Sequence, residues 1–482
     1  MLALLGLTAC VSALRAPDYV TDLPDCDRLN SDWFSGYLAV SQTKALHYVL
    51  VSSLDNPATD PLVVWFNGGP GCSSLLALFQ EHGPFVIDDG EYSLKTNPEP
   101  WNKRANVLYI ESPAGVGFSW ANSTQDQNTN DMRVSQDAFA ALQDFFNGFP
   151  EFLTNDLYIS GESYGGIYVP YLAWQIHSWN KMQEFHPTRT RYNLKGYIVG
   201  NGATNWDLDI SPAFPEVVRN FNIISQDLLD KFQNGNCHYY FNDVKKFPNT
   251  KDCNDTWDQI NQMAAGLNWY DLYRRVYPDG GLLARTFEDG RKPLLKGSNR
   301  LQSVNINGEE KEYKVGMTMS EYTPWAKHVQ ESPNHPLLGA YLTEYVNRPD
   351  VRDALHIPQH IQAWSQCSDT AQLYYHYQYE GSEWIYKIMK QYGYKILFFS
   401  GDTDGAVPTL GTRRWIAGLK MDIKKKTTAF LVDNQVAGYV TRYNGMDFVT
   451  IHGAGHMAPQ WKRVEVTGMI TSWLHDEDIF AP

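Results

Sequence analysis

The sequence predicts an α/β fold, a mainly parallel central sheet with helices on both faces. Two observations predict it. Short continuous apolar runs recur along the chain and alternate with stretches of helical spacing, and a strand buried on both faces reads as such a run. A serine, an aspartate and a histidine each stand just past one of those runs, and in open α/β sheets ligands bind beyond the carboxyl ends of the strands.

The chain opens with an apolar segment, residues 1–13, in which Val11 and Ala13 hold the −3 and −1 positions of a small-residue cleavage site. A signal peptide cut near Ala13 is expected, although Leu7 to Cys10 also has the look of a bacterial lipoprotein box. Residues 35–40 and 47–53 read as a hairpin. Leu62-Val63-Val64-Trp65-Phe66 is a buried strand that runs into Asn67-Gly68-Gly69-Pro70-Gly71-Cys72. That many glycines after a buried strand bare the backbone N–H groups of the turn. Residues 107–111 form the next strand. Val134, Ala138, Leu142, Phe145 and Phe149 then repeat at helical spacing until Pro150 stops the helix.

Residues 157–160 form a short strand, and 167–179 form a helix. Between them lies Gly161-Glu162-Ser163-Tyr164-Gly165. A Gly-x-Ser-x-Gly pentapeptide alone is common in loops. Set between strand and helix it is the nucleophile elbow of the α/β-hydrolase fold, a turn so tight that side chains at its flanks collide with backbone. In that fold Gly69 and Tyr164 would supply the oxyanion N–H donors, one from the glycine-rich turn and one from the residue after the nucleophile. Residues 195–200 are a further strand.

From about 206 to 336 the apolar runs shorten and polar residues dominate. This is read as an insertion, a mostly helical cap between two core parts, 14–205 and 337–482. Its basic stretch Arg291 to Lys296 is an expected site of proteolytic nicking. The sheet resumes at 395–400, followed at once by Gly401-Asp402-Thr403-Asp404. It ends at 447–451, followed by His452-Gly453-Ala454-Gly455-His456-Met457. The order serine, aspartate, histidine is that of the α/β-hydrolases and of neither other common protease arrangement of this triad. An Asp near 404 and a His near 456 are the candidates.

Composition bounds the rest. With 482 residues, 43% hydrophobic and 20% charged, the chain is an ordinary globular protein. Its net charge of −14 argues against nucleic acid, whose binding rests on Lys and Arg. No later stretch is long and apolar enough for a membrane span, and no His-Glu-x-x-His zinc motif occurs. Once Cys10 leaves with the leader, Cys26, Cys72, Cys237, Cys253 and Cys367 remain, which predicts two pairs and one leftover. Cys237 and Cys253, close together in a polar region, are read as one pair. Asn122-Ser123-Thr124 and Asn254-Asp255-Thr256 are glycosylation sequons.

Six stretches, Trp65 to Ser74, Glu111 to Ser119, Gly161 to Gly166, Tyr345 to Val351, Ser400 to Pro408 and Gly453 to Pro459, together resemble the serine carboxypeptidases, the family of cathepsin A and carboxypeptidase Y. The resemblance implies Ser163 as nucleophile, His456 (after Gly-Ala-Gly) as base and Asp404 (the second Asp of Gly-Asp-x-Asp) as orienting acid. It implies that Asn67 and Glu162 bind a substrate's C-terminal carboxylate, with Glu81 paired to Glu162. Two such carboxyls cannot both ionise cheaply, so an acid optimum is expected. Leu76, Gln80 and Met457 would shape the pocket of the departing residue. The resemblance further implies a Cys72–Cys367 disulfide, leaving Cys26 unpaired or bonded in a way the family does not predict.

This chain departs from the family at Gln460-Trp461-Lys462-Arg463 and at the polar Gln80. The implied activity is a serine carboxypeptidase that works through an acyl-enzyme on peptide or protein C-termini, needs no cofactor or metal, and travels the secretory route to the outside or to a lysosome or vacuole. A homodimer is left open. Two other readings stand beside it: an acyltransferase on the same scaffold, and a binding or protective partner whose catalysis is incidental.

Overall fold

The computed structural model describes residues 15–87, 94–186, 189–274, 277–278, 301–306, 309–314, 331–332, 336–368, 371 and 374–478. The expected leader and the basic stretch Arg291 to Lys296 lie outside them. The chain folds around one large sheet. Its strands are β1 (Tyr19–Val20), β2 (Trp33–Ala39), β3 (Lys44–Val51), β4 (Leu62–Phe66), β5 (Asn106–Ile110), β6 (Leu157–Glu162), β7 (Leu194–Gly200), β8 (Lys395–Gly401), β9 (Ile423–Val432), β10 (Gln435–Tyr443) and β11 (Met446–Ile451). Their order across the sheet is β1-β2-β3-β5-β4-β6-β7-β8-β11-β10-β9, and Trp120–Ala121 adds a short pairing to β3. The six strands from β5 to β11 run parallel, and both flanks are antiparallel.

The central strands read as unbroken apolar runs because both of their faces are covered. Leu62, Val64 and Phe66 of β4 enter one core with Ile159, Val199 and Phe398; Val63 and Trp65 enter the other with Tyr158, Ile198 and Phe399. This is the period-two alternation of a pleated strand. Helices α1 (Asp131–Gly148) and α2 (Gly165–Met182) bury their apolar sides in the first core. Asn130 caps α1, its side chain accepting the Arg133 N–H at 2.9 Å. Pro170 stands inside α2 and cannot donate to the Gly166 carbonyl one turn back. The Ser382 hydroxyl donates to that carbonyl instead, at 2.5 Å, so the helix continues.

Three helices, α3 (Phe214–Asn220), α4 (Gln226–Asn234) and α5 (Lys251–Ala264), follow the sheet strand β7. A disulfide joins Cys237 to Cys253 at the start of α5. A two-stranded hairpin, Leu301–Ile306 with Glu309–Lys314, also belongs to the stretch read as an insertion. Helix α6 (Arg463–Leu474) packs Val466, Ile470 and Trp473 into the second core. No helix among the described residues is long and apolar enough to cross a membrane.

The second disulfide, Cys72–Cys367, spans 295 residues and ties the glycine-rich turn to the far half of the chain. Backbone hydrogen bonds flank it, Ser73 N to Gln366 O and Ser368 N to Gly71 O, both 2.8 Å. Cys26 is the free cysteine among the described residues. Burial and the Tyr345 hydroxyl surround its thiol, and burial pushes the pKa up to about 12, so it is a weak nucleophile.

Candidate active site

The site is built where three strands of the parallel set end, β6, β8 and β11, with β7 lying between β6 and β8. Strand β6 delivers Ser163, the turn after β8 delivers Asp404, and the turn after β11 delivers His456. Ser163 has φ = 61°, the left-handed conformation that costs an L-residue roughly 1–3 kcal/mol. Neighbouring backbone holds it there: its N–H donates to Gly200 O (3.0 Å), and its carbonyl accepts from Gly166 N (2.9 Å) and Ala203 N (3.0 Å). A Cβ at Gly161 would overlap the Phe66 carbonyl and one at Gly166 the Ala203 carbonyl, whereas at Gly165 it would sit 3.3 Å from Phe66 O. The glycine requirement thus falls on Gly161 and Gly166 more than on Gly165.

His456 Nδ1 lies 2.7 Å from Asp404 Oδ2, and both side chains are buried. The Ala406 and Val407 N–H groups donate to Asp404 Oδ1 at 2.7 and 3.1 Å, and the Asn201 amide donates to Oδ2 at 2.8 Å. Asn201 also accepts the Gly401 N–H at 3.1 Å, locking its own orientation. Three donors besides the imidazole thus hold one carboxylate, and that carboxylate fixes the imidazole. His456 Nε2 has no hydrogen-bond partner, so that nitrogen carries no competing contact. Nucleophile–base hydrogen bonds are often long in the absence of substrate. The Tyr270 ring packs edge-on against His456 at 5.0 Å, and its carbonyl accepts the His456 N–H at 2.6 Å.

A second Asp–His pair stands close by in sequence. His452 Nδ1 is 2.8 Å from Asp402 Oδ2, but His452 is 62% exposed against 2% for His456. Burial separates the two pairs where spacing does not. Gly68 presses the glycine-rich turn against the elbow so closely that a Cβ there would overlap Tyr164 N. That places Gly69 beside Tyr164. Both line a small apolar recess at Ser163, which is completed by Ala203, Ile210, Phe241 and Val407. The Tyr164 side chain is anchored behind the recess: its hydroxyl donates to buried Asp131 at 2.8 Å, which also accepts the Tyr375 hydroxyl at 2.6 Å.

Asn67, Glu81 and Glu162 come together next to Ser163, Glu162 being its neighbour in the chain. Trp65 Nε1 donates to Asn67 Oδ1 at 2.8 Å, which turns the amide nitrogen toward the acids. That nitrogen donates to Glu81 Oε1 at 3.1 Å and to Glu162 Oε1 at 3.0 Å. All three residues are buried, and the Glu81 and Glu162 carboxyls are hydrogen-bond partners of each other. Burial raises both acids' pKa values above the usual carboxylate range, and the charge of Glu81 raises Glu162 further. The pair therefore titrates as a unit and keeps a proton where an exposed glutamate has lost it.

Leu76 is half-buried, and Gln80 is buried with its Nε2 unpartnered. Met457 follows His456 and is half-buried. None of the three lines the recess at Ser163. Asn122 and Asn254 are exposed, and Asn254 accepts the Tyr239 hydroxyl at 2.6 Å within α5. Sequence reasoning missed Asn201, Tyr270, Asp131, Ile210 and Phe241. Asn201 carries a legible signal, standing directly past a buried strand; the other four act through tertiary contact.

A family model described as serine carboxypeptidase matches residues 24–476. The chain belongs to the serine carboxypeptidase family. It is 33% identical over 472 residues to serine carboxypeptidase-like 33 of Arabidopsis thaliana, covering 96% of this chain and 92% of that one. It is also 33% identical over 464 residues to the lysosomal protective protein of Mus musculus, covering 92% and 90%. Among solved structures, a prohormone-processing carboxypeptidase from Saccharomyces cerevisiae superposes with a TM-score of 0.68 at 20% identity, covering 95% of this chain and 94% of that one, which shows the shared fold.

Proposed function

We propose that this member of the family is a serine-type carboxypeptidase that releases C-terminal amino acids from peptides and proteins, with an acid optimum. The observation that carries the reading is the buried Asn67–Glu81–Glu162 group beside the elbow. Two buried carboxyls that share a proton beside an amide suit one ligand class, a carboxylate that accepts hydrogen bonds from a protonated acid and from an amide.

With the terminal carboxylate seated there, the last peptide bond lies over Ser163. His456 takes the hydroxyl proton as Oγ attacks the carbonyl, while Asp404 holds the imidazole and stabilises its cation. The Gly69 and Tyr164 N–H groups hold the developing oxyanion. His456 then protonates the leaving amino acid, and water hydrolyses the acyl-enzyme by the same steps in reverse. The recess of Ala203, Ile210 and Phe241 receives the side chain on the acyl side. Gln80, Leu76 and Met457 stand on the side of the departing residue, and the sum is a broad preference with an apolar tilt.

The test is the mass spectrum of a ten-residue peptide incubated with the purified protein at pH 5. Stepwise loss from the C-terminus, absent with Ser163→Ala, supports the proposal. Internal cleavage, or no cleavage by a folded protein, refutes it.

A further inference from the structure

The turn that carries Glu81 is a π-helical turn, Ala77–Glu81, and its end must find partners for its carbonyls. Backbone takes some of them: His82 N–H donates to Ala77 O at 3.0 Å, Ile87 N–H to Phe79 O at 2.8 Å, and Trp101 N–H to His82 O at 3.0 Å. The carbonyls of Gln80 and Glu81 are taken by one side chain. Arg463 donates from Nη2 to Gln80 O at 2.7 Å and from Nε to Glu81 O at 3.0 Å. A guanidinium suits this task because its donors are rigid and planar.

Arg463 is also out of place by local rules. It opens helix α6, where the macrodipole disfavours a cation by about 0.3–1 kcal/mol. Lys462 before it compounds the cost, and Glu465 supplies the acidic residue of the first turn. A residue that opposes its own helix needs a tertiary reason, and the two carbonyls provide it.

We infer that Arg463 is a positioning residue for the carboxylate site: by gripping the Gln80 and Glu81 carbonyls it holds the Glu81 carboxyl against Asn67 and Glu162. The inference rests on the carboxylate-binding reading above and adds a residue that does not touch the substrate. It has an electrostatic consequence as well. The groups that act on Glu81 are Glu162 from β6, His456 from the turn after β11, the Asn67 amide, and Arg463 from α6, while the Tyr109 phenol of β5 lies within its field. Burial dominates and raises the Glu81 pKa; His456 and Arg463 oppose that rise. Removing the arginine charge thus moves the ionisation of the acid pair to higher pH.

The experiment compares wild type, Arg463→Met and Arg463→Lys in the full chain. Each is assayed on a blocked dipeptide acid, on its C-terminal amide, and on a blocked tyrosine ethyl ester that lacks a terminal carboxylate. Losing two hydrogen bonds to buried carbonyls predicts that KM for the acid rises about tenfold in Arg463→Met, with ester turnover unchanged. The pH at which that KM begins to climb moves upward in Arg463→Met and stays in place in Arg463→Lys, which keeps the charge but loses the fork. An unchanged KM for the acid in Arg463→Met, or an equal loss on acid and ester, overturns the inference. If Arg463→Met does not fold, an unchanged KM in Arg463→Lys overturns it equally. A wild type that cleaves acid and amide alike overturns the carboxylate site and this inference with it. A wild-type preference for the acid that survives unaltered in both variants overturns this inference alone.

Discussion

Replacing Glu162 by Gln tests the physical core of the site, the proton shared by two buried acids. The amide nearly matches the carboxyl in shape, still offers hydrogen bonds, and cannot ionise. In the wild type both pKa values lie above the usual glutamate value of about 4.3, chiefly through burial. On the proposed reading the pair donates to the substrate carboxylate below its raised apparent pKa. Above it the pair loses that proton and sets an added negative charge against the substrate carboxylate. At about 4 Å and an effective dielectric of about 20, that repulsion is roughly 4 kcal/mol, enough to abolish binding. If only the protonated pair binds, KM for a dipeptide acid climbs about tenfold per pH unit once the pair ionises, since one proton is linked to binding.

In Glu162→Gln the remaining acid, Glu81, has lost the neighbour whose charge it opposed. The climb should flatten, with kcat at pH 5 little changed. The assay is KM for a blocked dipeptide acid from pH 4.5 to 8.5, with its amide as control. A variant with the wild-type slope would falsify the shared-proton argument. Stability carries the same signature. Acids whose folded pKa is raised bind protons that the unfolded chain has released, so their burial costs stability as pH rises from the unfolded value through the folded one. Glu162→Gln should therefore narrow the fall in melting temperature between pH 5 and pH 8.

Two further outcomes follow from the geometry. Asn201→Ala removes one of four donors to Asp404 and orphans the Gly401 N–H, so a charge-assisted hydrogen bond of about 1.5–3 kcal/mol is lost from the imidazole's support; kcat should fall by about tenfold to a hundredfold with KM nearly constant, and a change confined to KM would contradict the assignment. Replacing Cys72 and Cys367 together by Ala removes a cross-link over 295 residues, worth about 2–5 kcal/mol; thermal melts should drop, and ester turnover of the surviving folded protein should also drop because the turn bearing Gly69 has lost its tether. Undiminished turnover would refute that coupling.

The central strands were legible because both of their faces are apolar, which leaves little else for runs such as Leu62–Phe66 to be. The hairpin of β9 and β10 was not. Its residues 424–428 are exposed and Lys- and Thr-rich, so the period-two apolar signal that marks a half-buried strand is missing there. Within the site, order and spacing narrowed the acid and base to two candidates each. Both Asp402–His452 and Asp404–His456 are hydrogen-bonded pairs in the fold. The resemblance chose between them, and burial is the physical difference. Glu81 has no local signal of its own in the sequence; only tertiary packing brings it to Glu162. The recess side chains Ile210 and Phe241 lie in the stretch read as an insertion, where no local pattern says which residue will fold back over the serine.

The most direct test of the account is cleavage of benzyloxycarbonyl-Phe-Leu against its C-terminal amide by the purified protein, from pH 4 to 8, beside Ser163→Ala. The account predicts release of leucine from the free acid, strongest at acid pH, much weaker from the amide, and absent in the variant. Equal cleavage of acid and amide would contradict the carboxylate site, and acid cleavage surviving in Ser163→Ala would contradict the nucleophile.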